Sequence, residues 1–398
     1  MCAAETRACF TSPHQCEPLL PQQRLDELRR RSRGVIERAL QLTASAHPAT
    51  IASLRELLRA MNSYYSNRIE GQSTHPLHIE QALRRDFSSS PEVARLQRLA
   101  LAHIEAEREL ELRVAAGEPV LISDFLRQAH VALYGRLAPE DRATPEGRIV
   151  DPGAWRQEQV RVGRHEPPAW SSLPAFFSRL DGVYGRETLL DDVLIAVAAA
   201  HHRTAWVHPF LDGNGRAIRL QTHCALWRFS GGLWSMSRGM ARQREQYYAM
   251  LDAADSPRRG DLDGRGNLSE HLLWEWCAWF IEVAADQVDF MARMLNLDEM
   301  KSRIAALITF RSKQDKGIRE EAIVPLYHLF LAGPTPRGEF LRMTGLGERT
   351  ARSLLSRLIE TGLVESSGHT APVRLAFPLN ALQFLVPELY PEAASQPS

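Results

Sequence analysis

From His208 to Arg219 the chain reads His-Pro-Phe-Leu-Asp-Gly-Asn-Gly-Arg-Ala-Ile-Arg, and these residue types suit one kind of chemistry. Gly213 and Gly215 flank Asn214, so the backbone can turn tightly and present N–H groups inward. An anion there would also meet the positive end of the dipole of the helix that follows. Arg216 and Arg219, three apart on that helix, share a face and can both reach polyphosphate oxygens. Asp212, the only carboxylate of the loop, is a hard oxygen ligand suited to a magnesium ion bridging phosphates. His208, just outside the cradle, titrates near neutrality and can take a proton from a hydroxyl nucleophile. Anion cradle, metal ligand and base in one short loop imply phosphoryl or nucleotidyl transfer.

Such a loop works only if both ends are held. Asp191 to Thr204 opens with two acids, favourable at a helix N-terminus, and is apolar nearly all round, which predicts a buried central helix before the loop. Ala217 to Phe229 predicts the helix after it. Upstream, helical spacing recurs through Leu25, Leu28, Val35, Ile36, Ala39 and Leu40, then through Ile51, Leu54, Leu57, Leu58 and Met61, and again from Pro91 to Val114. Ser123 is placed to cap a helix over 124–134. Thr144 to Pro168 is rich in Pro and Gly, with short alternating runs at Ile149-Val150 and Val160-Arg161-Val162, and predicts a β-hairpin or flap. Helices are expected again over Leu173–Tyr184, Gln243–Ala254 and Leu268–Leu295, the last with Trp274, Trp276 and Trp279 as packing residues.

The stretch His208 to Arg219 resembles the H-x-F-x-D/E-G-N-G-R-x-x-R signature of the Fic-domain family, with every defined position present. The resemblance extends over most of residues 50–290: His201, Gly153-Ala154-Trp155-Arg156 through Val162-Gly163 and Pro167-Pro168 as a target-docking flap, and Ser237-Arg238, Tyr247-Tyr248, Leu251 and the run Gly260 to Gly266 further on. It implies transfer of AMP from ATP to a Ser, Thr or Tyr hydroxyl of a target protein. By position it implies His208 as general base, Asp212 as magnesium ligand and Gly213, Asn214 and Gly215 as the anion hole around the α- and β-phosphates. Arg216 would contact the β- and γ-phosphates and Arg219 the γ-phosphate. Phe210 would anchor the loop, and Tyr247 and Tyr248 would neighbour the adenine.

A second motif lies upstream, Ser66-Asn67-Arg68-Ile69-Glu70-Gly71. Ser66 and Glu70 are four apart and project from one helix face, and Gly71 is a natural helix terminator. It resembles the S/T-x-x-x-E-G/N inhibitory motif found N-terminal to the Fic core in one class of the family. That implies a pairing of Glu70 with Arg219 that denies ATP its productive γ-phosphate geometry.

The expected organisation is mainly α. It comprises a disordered lead-in over 1–20, an N-terminal helical region over 21–115 carrying the inhibitory motif 66–71, and a Fic core over 116–300 with its flap at 144–168. A linker helix over 301–333 leads to a winged helix-turn-helix domain over 334–398. Between Pro336 and Phe377, Arg337, Arg342, Arg349, Arg352, Arg357 and Arg374 stand against Glu339, Glu348, Glu360 and Glu365, a weakly basic balance. Dimerisation, protein docking and DNA binding all remain open for it.

Composition bounds the rest. The 398 residues carry 48 basic and 48 acidic side chains, a net charge of zero, which argues against a surface that coats nucleic acid or an anionic membrane. Only Lys301, Lys313 and Lys316 of the basic residues are lysine. Five cysteines, Cys2, Cys9, Cys16, Cys224 and Cys277, show no C-x-x-C pair and no zinc spacing. With no signal-peptide pattern and no long apolar run, a reduced, cytoplasmic setting is expected. The favoured reading is an ATP- and Mg2+-dependent protein adenylyltransferase acting on a protein target or itself, with homodimerisation open and no membrane partner. The alternatives are a de-AMPylating or bifunctional enzyme, or a winged-helix DNA-binding regulator whose core senses nucleotide.

Overall fold

The computed structural model describes residues 10–44, 47–144, 146–186 and 189–390. Helices dominate it. In chain order they are α1 (Leu25–Thr43), α2 (Pro48–Ile69), α3 (Pro76–Leu83), α4 (Pro91–Ala115), α5 (Ser123–Tyr134), α6 (Leu173–Tyr184), α7 (Val193–Val207), α8 (Asn214–Ser230), α9 (Met236–Arg242), α10 (Arg244–Ala254), α11 (Glu270–Met294), α12 (Leu297–Gln314), α13 (Ile323–Ala332), α14 (Arg337–Met343), α15 (Glu348–Glu360) and α16 (Leu382–Leu385). The strands among the described residues are β1 (Val364–Glu365) and β2 (Arg374–Leu375).

Helix α7 has no polar face to turn to solvent, and so it is buried on all sides, packed by α8, α11, α1 and α6. Its histidines find partners inside the core, and Arg203 is bonded there through Nε and Nη1. The His201 ring bonds Thr222 Oγ1 at 2.7 Å and Tyr247 Oη at 3.0 Å, while Arg203 Nε donates to the Pro18 carbonyl at 3.0 Å. Trp276 of α11 donates its indole N–H to the Ala198 carbonyl at 2.7 Å, so the tryptophan run of α11 packs the core as its spacing predicts. Around this centre, α2 lies against α4 and α9, and α4 and α5 both pack on α8. The helix that carries the arginines is thereby held between the central helix and the N-terminal region.

Three expectations need correction. The lead-in is not disordered where it is described: from residue 10 it is laid across the core. Phe10 packs on Trp206 at 4.9 Å between ring centres, Cys16 and Leu19 are buried, and Tyr184 Oη donates to the Leu19 carbonyl at 2.6 Å. Residues 1–9, with Cys2 and Cys9, lie outside the described residues. The 144–168 flap forms no β-hairpin among the described residues. Isolated bridges pair Ala143 with Ile149 and Val162 with His165; its Pro and Gly content breaks any longer ladder. The region given to a single linker helix contains two, since α12 ends at Gln314 and α13, apolar and partly buried, packs back onto it.

Beyond residue 333, α14 and α15 are followed by the antiparallel pair β1–β2, with Val364 opposite Leu375 and Glu365 opposite Arg374. Three of the segment's arginines sit in ion pairs: Arg352 with Glu348, Arg374 with Glu365, and Arg357 with Asp315 and Glu360. The chain then returns to α2, where Tyr65 Oη donates to the Leu389 carbonyl at 3.0 Å. Among the described residues no helix is long and apolar enough to cross a membrane, and Cys16, Cys224 and Cys277 are buried free thiols.

Candidate active site

The loop between α7 and α8 begins with a left-handed residue. His208 has φ 48°, and its N–H caps α7 on the Thr204 carbonyl at 3.1 Å. That turn, uncommon for a residue with a side chain, sends Phe210 into the core, where it is fully buried. Burying a phenylalanine contributes roughly 1.5–3 kcal/mol, so Phe210 anchors the loop. Asn214 closes it: its Oδ1 accepts from the Phe210 N–H and its Nδ2 donates to the Phe210 carbonyl, both at 2.9 Å. Within the expected anion hole, the Asn214 side chain therefore shapes the loop and its backbone faces the cradle. Gly213 sits at φ 79°, and a Cβ there would run into the Tyr134 ring. Only glycine fits.

Two residues of α5 form the floor. His130 is stacked between Phe210, 3.9 Å away at 15°, and Tyr134, 4.5 Å away at 9°. Its Nδ1 accepts from the Gly153 N–H at 2.9 Å, which makes Nε2 the donor to the Asp212 carbonyl at 3.1 Å. One ring thus ties the flap to the loop. Arg156 does the same from the flap side, its N–H donating to the Pro209 carbonyl at 2.8 Å and its Nε to the His208 carbonyl at 2.9 Å.

Asp212 and Arg216 meet over Tyr134. Tyr134 Oη donates to Asp212 Oδ2 at 2.9 Å and accepts from Arg216 Nη2 at 2.7 Å; Arg216 also reaches Asp212 Oδ2 at 3.2 Å and Gln72 Oε1 at 2.9 Å. The Asp212 carboxylate is 46% exposed, so it stays open to a hydrated cation. A single hard oxygen ligand beside an anion cradle fits a magnesium ion that keeps several waters and takes its other ligands from phosphates.

Arg219 is buried and bonded to the end of α2. Its Nε donates to Ser66 Oγ at 3.0 Å, and its Nη2 to the Ser66 carbonyl at 3.0 Å and to Glu70 Oε1 at 2.6 Å. A Cβ on Gly215 would overlap the Glu70 carboxylate, so that carboxylate lies against the first turn of α8. The helix end that presents it is pinned: Gly71 turns at φ 76°, and the Ile69 carbonyl accepts from Arg244 Nε at 2.8 Å and from Tyr248 Oη at 3.1 Å. The two tyrosines separate. Tyr247 is core, its hydroxyl on His201 and its ring beside Trp279; Tyr248 is 41% exposed and faces the end of α2.

Burial, with His165 and the Arg156 guanidinium adding to it, lowers the His208 pKa to about 4, leaving a neutral imidazole at neutral pH. Burial opposes ionisation of Glu70, but Arg219 and Arg216 outweigh it and hold the carboxyl below its usual range. The same contest at Asp212, with Arg216 and Tyr134 on the other side, also ends below the usual range.

The loop, both arginines and the upstream Ser66–Glu70 pair therefore lie together. Sequence reasoning missed His130 and Tyr134 as site residues, as well as Gln72. Their signal was present: His130 and Tyr134 stand four apart on the apolar face of a helix, where a polar ring needs a partner.

Residues 121–226 match the family model described as Fic/DOC family. The chain is 28% identical over 272 residues to the protein adenylyltransferase Fic of Drosophila willistoni, covering 64% of this chain and 49% of that one. It is 33% identical over 114 residues to the protein of the same name in Culex quinquefasciatus, covering 28% and 22%. It thus spans about half of these relatives or less. Its fold is similar to that of a Fic family protein from Desulfovibrio desulfuricans G20, with a TM-score of 0.50 at 15% identity over 93% of this chain and 99% of that one. Fic-1 from C. elegans is similar with a TM-score of 0.52 at 18% identity over 67% and 72%.

Proposed function

We propose that this chain is a protein adenylyltransferase, transferring AMP from ATP to a Ser, Thr or Tyr hydroxyl of a target protein, and that Glu70 restrains it through Arg219. The observation that carries the reading is the loop itself: a neutral, half-buried histidine beside a glycine-framed helix N-terminus with two buried arginines behind it. The relatives named protein adenylyltransferase Fic support the same activity.

The chemistry follows from the residues. The triphosphate lies along the first turn of α8, where the backbone N–H groups of Gly213, Asn214 and Gly215 and the guanidinium of Arg216 receive its oxygens. A magnesium ion held by Asp212 would neutralise phosphate charge as pyrophosphate departs. His208 takes the proton from the target hydroxyl as its oxygen bonds the α-phosphorus. The bond from that phosphorus to the α–β bridging oxygen breaks, and pyrophosphate leaves with the electron pair. Phe210, Asn214 and Arg156 fix the base relative to the cradle, so the entropic cost of alignment is met by the fold.

Restraint has a direct physical form. Arg219 is the arginine proposed for the γ-phosphate, and its Nε and Nη2 already donate to Ser66 and Glu70. The Glu70 carboxylate also brings negative charge to the first turn of α8, where it repels a triphosphate. The test is mass spectrometry of protein targets, and of the chain itself, after incubation with ATP and Mg2+. The reading predicts addition of an adenylyl group that disappears in His208→Ala. A different added group, or labelling unchanged in His208→Ala, refutes it.

A further inference from the structure

One turn past Arg219 on α8 lies a second set of titratable side chains that this mechanism does not use. His103, Glu107 and Glu111, spaced four apart, share one face of α4. His223 faces them from α8, and Asn62 and Arg59 from α2. The four titratable side chains of α4 and α8 are almost wholly buried: His103 2%, Glu107 1%, Glu111 3% and His223 8% exposed.

Each carboxylate gives one oxygen to α2, and Glu107 Oε1, the oxygen given to Asn62, also stands 3.5 Å from His223 Nε2. Glu107 Oε1 accepts from Asn62 Nδ2 at 2.7 Å, and Glu111 Oε2 accepts from Arg59 Nε at 2.8 Å. On the inner side, Glu111 Oε1 stands 3.0 Å from His223 Nε2, and Glu107 Oε2 stands 3.9 Å from His103 Nδ1, too far for a hydrogen bond. The ligand atoms of Glu107, Glu111 and His223 all lie within 4.8 Å of one another. Both ring nitrogens of His103 and Asn62 Oδ1 are buried with no hydrogen-bond partner. A protonated His223 shared between the two carboxylates would account for the glutamates. It leaves His103 with two buried lone polar atoms, which folded proteins avoid.

We propose that Glu107, Glu111 and His223, with His103 as fourth ligand, bind one divalent transition-metal ion of the zinc class. Two imidazoles and two carboxylates form a mixed nitrogen and oxygen set suited to Zn2+; magnesium prefers oxygens and retained water. Two carboxylate charges balance a dication, and the Arg59 bonds to Glu111 Oε2 stay in place. The ion fastens α4 to α8, with α2 held through Asn62 and Arg59. Asn62 precedes Ser66 by one turn and His223 follows Arg219 by one turn, so the site braces the two helices that carry the Ser66–Arg219 contact. It is separate from the Asp212 position at the other end of α8.

The experiment uses the full chain, stripped with chelator and dialysed against Zn2+ in the presence of excess Mg2+, with bound metal measured by elemental analysis and stability by thermal unfolding. One zinc per chain and a zinc-dependent rise in melting temperature are expected. Both are retained by Asp212→Asn and lost in the Glu107→Gln/His223→Gln pair, whose helix content is checked by circular dichroism. Should that pair fail to fold, His103→Asn removes a ligand that holds no hydrogen bond, and it should weaken zinc affinity by at least roughly tenfold. No zinc retained by the native chain, zinc retained equally by the double variant, or unchanged affinity in His103→Asn overturns the proposal.

Discussion

Arg219 Nη2 donates to Glu70 Oε1 at 2.6 Å while the Nε of the same guanidinium donates to Ser66 Oγ at 3.0 Å. Both partners sit one turn apart at the end of α2, so this arginine of α8 is held by a single helix end. A charge-assisted contact to a buried guanidinium is worth more than a surface pair, because removing either partner strands the other away from water. Release of the arginine therefore needs the end of α2 to move or the carboxylate to be lost.

Ser66 supplies a part of this hold that can be removed without touching charge. In Ser66→Ala the carbonyl of residue 66 and the Glu70 carboxylate still engage Arg219, and one hydrogen bond is lost. A change of about 0.5–1.5 kcal/mol should raise AMP incorporation by roughly two- to tenfold over the native chain in a time course with labelled ATP. No increase would show that the Ser66 hydroxyl has no share in restraint.

Tyr134 joins the carboxylate proposed for the metal to the arginine proposed for the phosphates. Tyr134→Phe keeps the ring stacked on His130 and deletes the shared hydroxyl, leaving Asp212 and Arg216 to align each other at 3.2 Å. In a Glu70→Gly background, kcat/KM for ATP should fall by roughly tenfold with the melting temperature almost unchanged, an effect of about 1–1.5 kcal/mol. Steady-state kinetics over a range of ATP concentrations would check it.

His130 should act on stability. His130→Ala removes the ring between Phe210 and Tyr134 together with its bonds to Gly153 and Asp212. A loss of roughly 2–4 kcal/mol is expected, read as a lower urea midpoint with unchanged slope. A midpoint equal to that of the native chain would mean that the flap and loop are held elsewhere.

The pH dependence of activity follows from the depressed His208 pKa, about 4 in the folded chain against an ordinary 6.5. A lowered pKa keeps the base neutral from high pH down to the shifted value. The acid limb of kcat/KM for the Glu70→Gly variant should therefore fall near or below pH 4 to 5, not near 6.5. A limb centred at 6.5 would place the proton transfer on an exposed histidine instead. The sign for stability is the same: protonation of His208 in the unfolded chain begins as pH drops below 6.5, so folding weakens from there towards 4.

Much of this site was readable in the residues because its chemistry is local. Gly213, Asn214 and Gly215 sit together in sequence, and Arg216, Arg219, Ser66 and Glu70 follow helical spacing, which fixes which side chains share a face. The spacing of His130 and Tyr134 marked a polar ring in want of a partner, but the partners of His130, Gln72 and Arg156 were not readable, since they lie 52 to 144 positions away, and no periodicity reports such pairings. The flap misled for a related reason: alternating Ile149-Val150 and Val160-Arg161-Val162 match a strand pattern, yet Gly and Pro stop a ladder from forming. The 10–20 segment looked solvent-bound because its anchors, Phe10, Cys16 and Leu19, are few. They nonetheless land on Trp206 and Tyr184, which no local reading places nearby.

The central claim is that Glu70 restrains a competent transferase by holding Arg219. The most direct measurement is the rate of AMP incorporation from labelled ATP and Mg2+ by the native chain and Glu70→Gly side by side, in the presence of cell lysate as a source of targets. The account predicts labelling that rises at least roughly tenfold in Glu70→Gly, the scale expected for loss of a charge-assisted contact of about 1.5–3 kcal/mol, and that vanishes when His208→Ala is added. Equal labelling by the native chain and Glu70→Gly would contradict it.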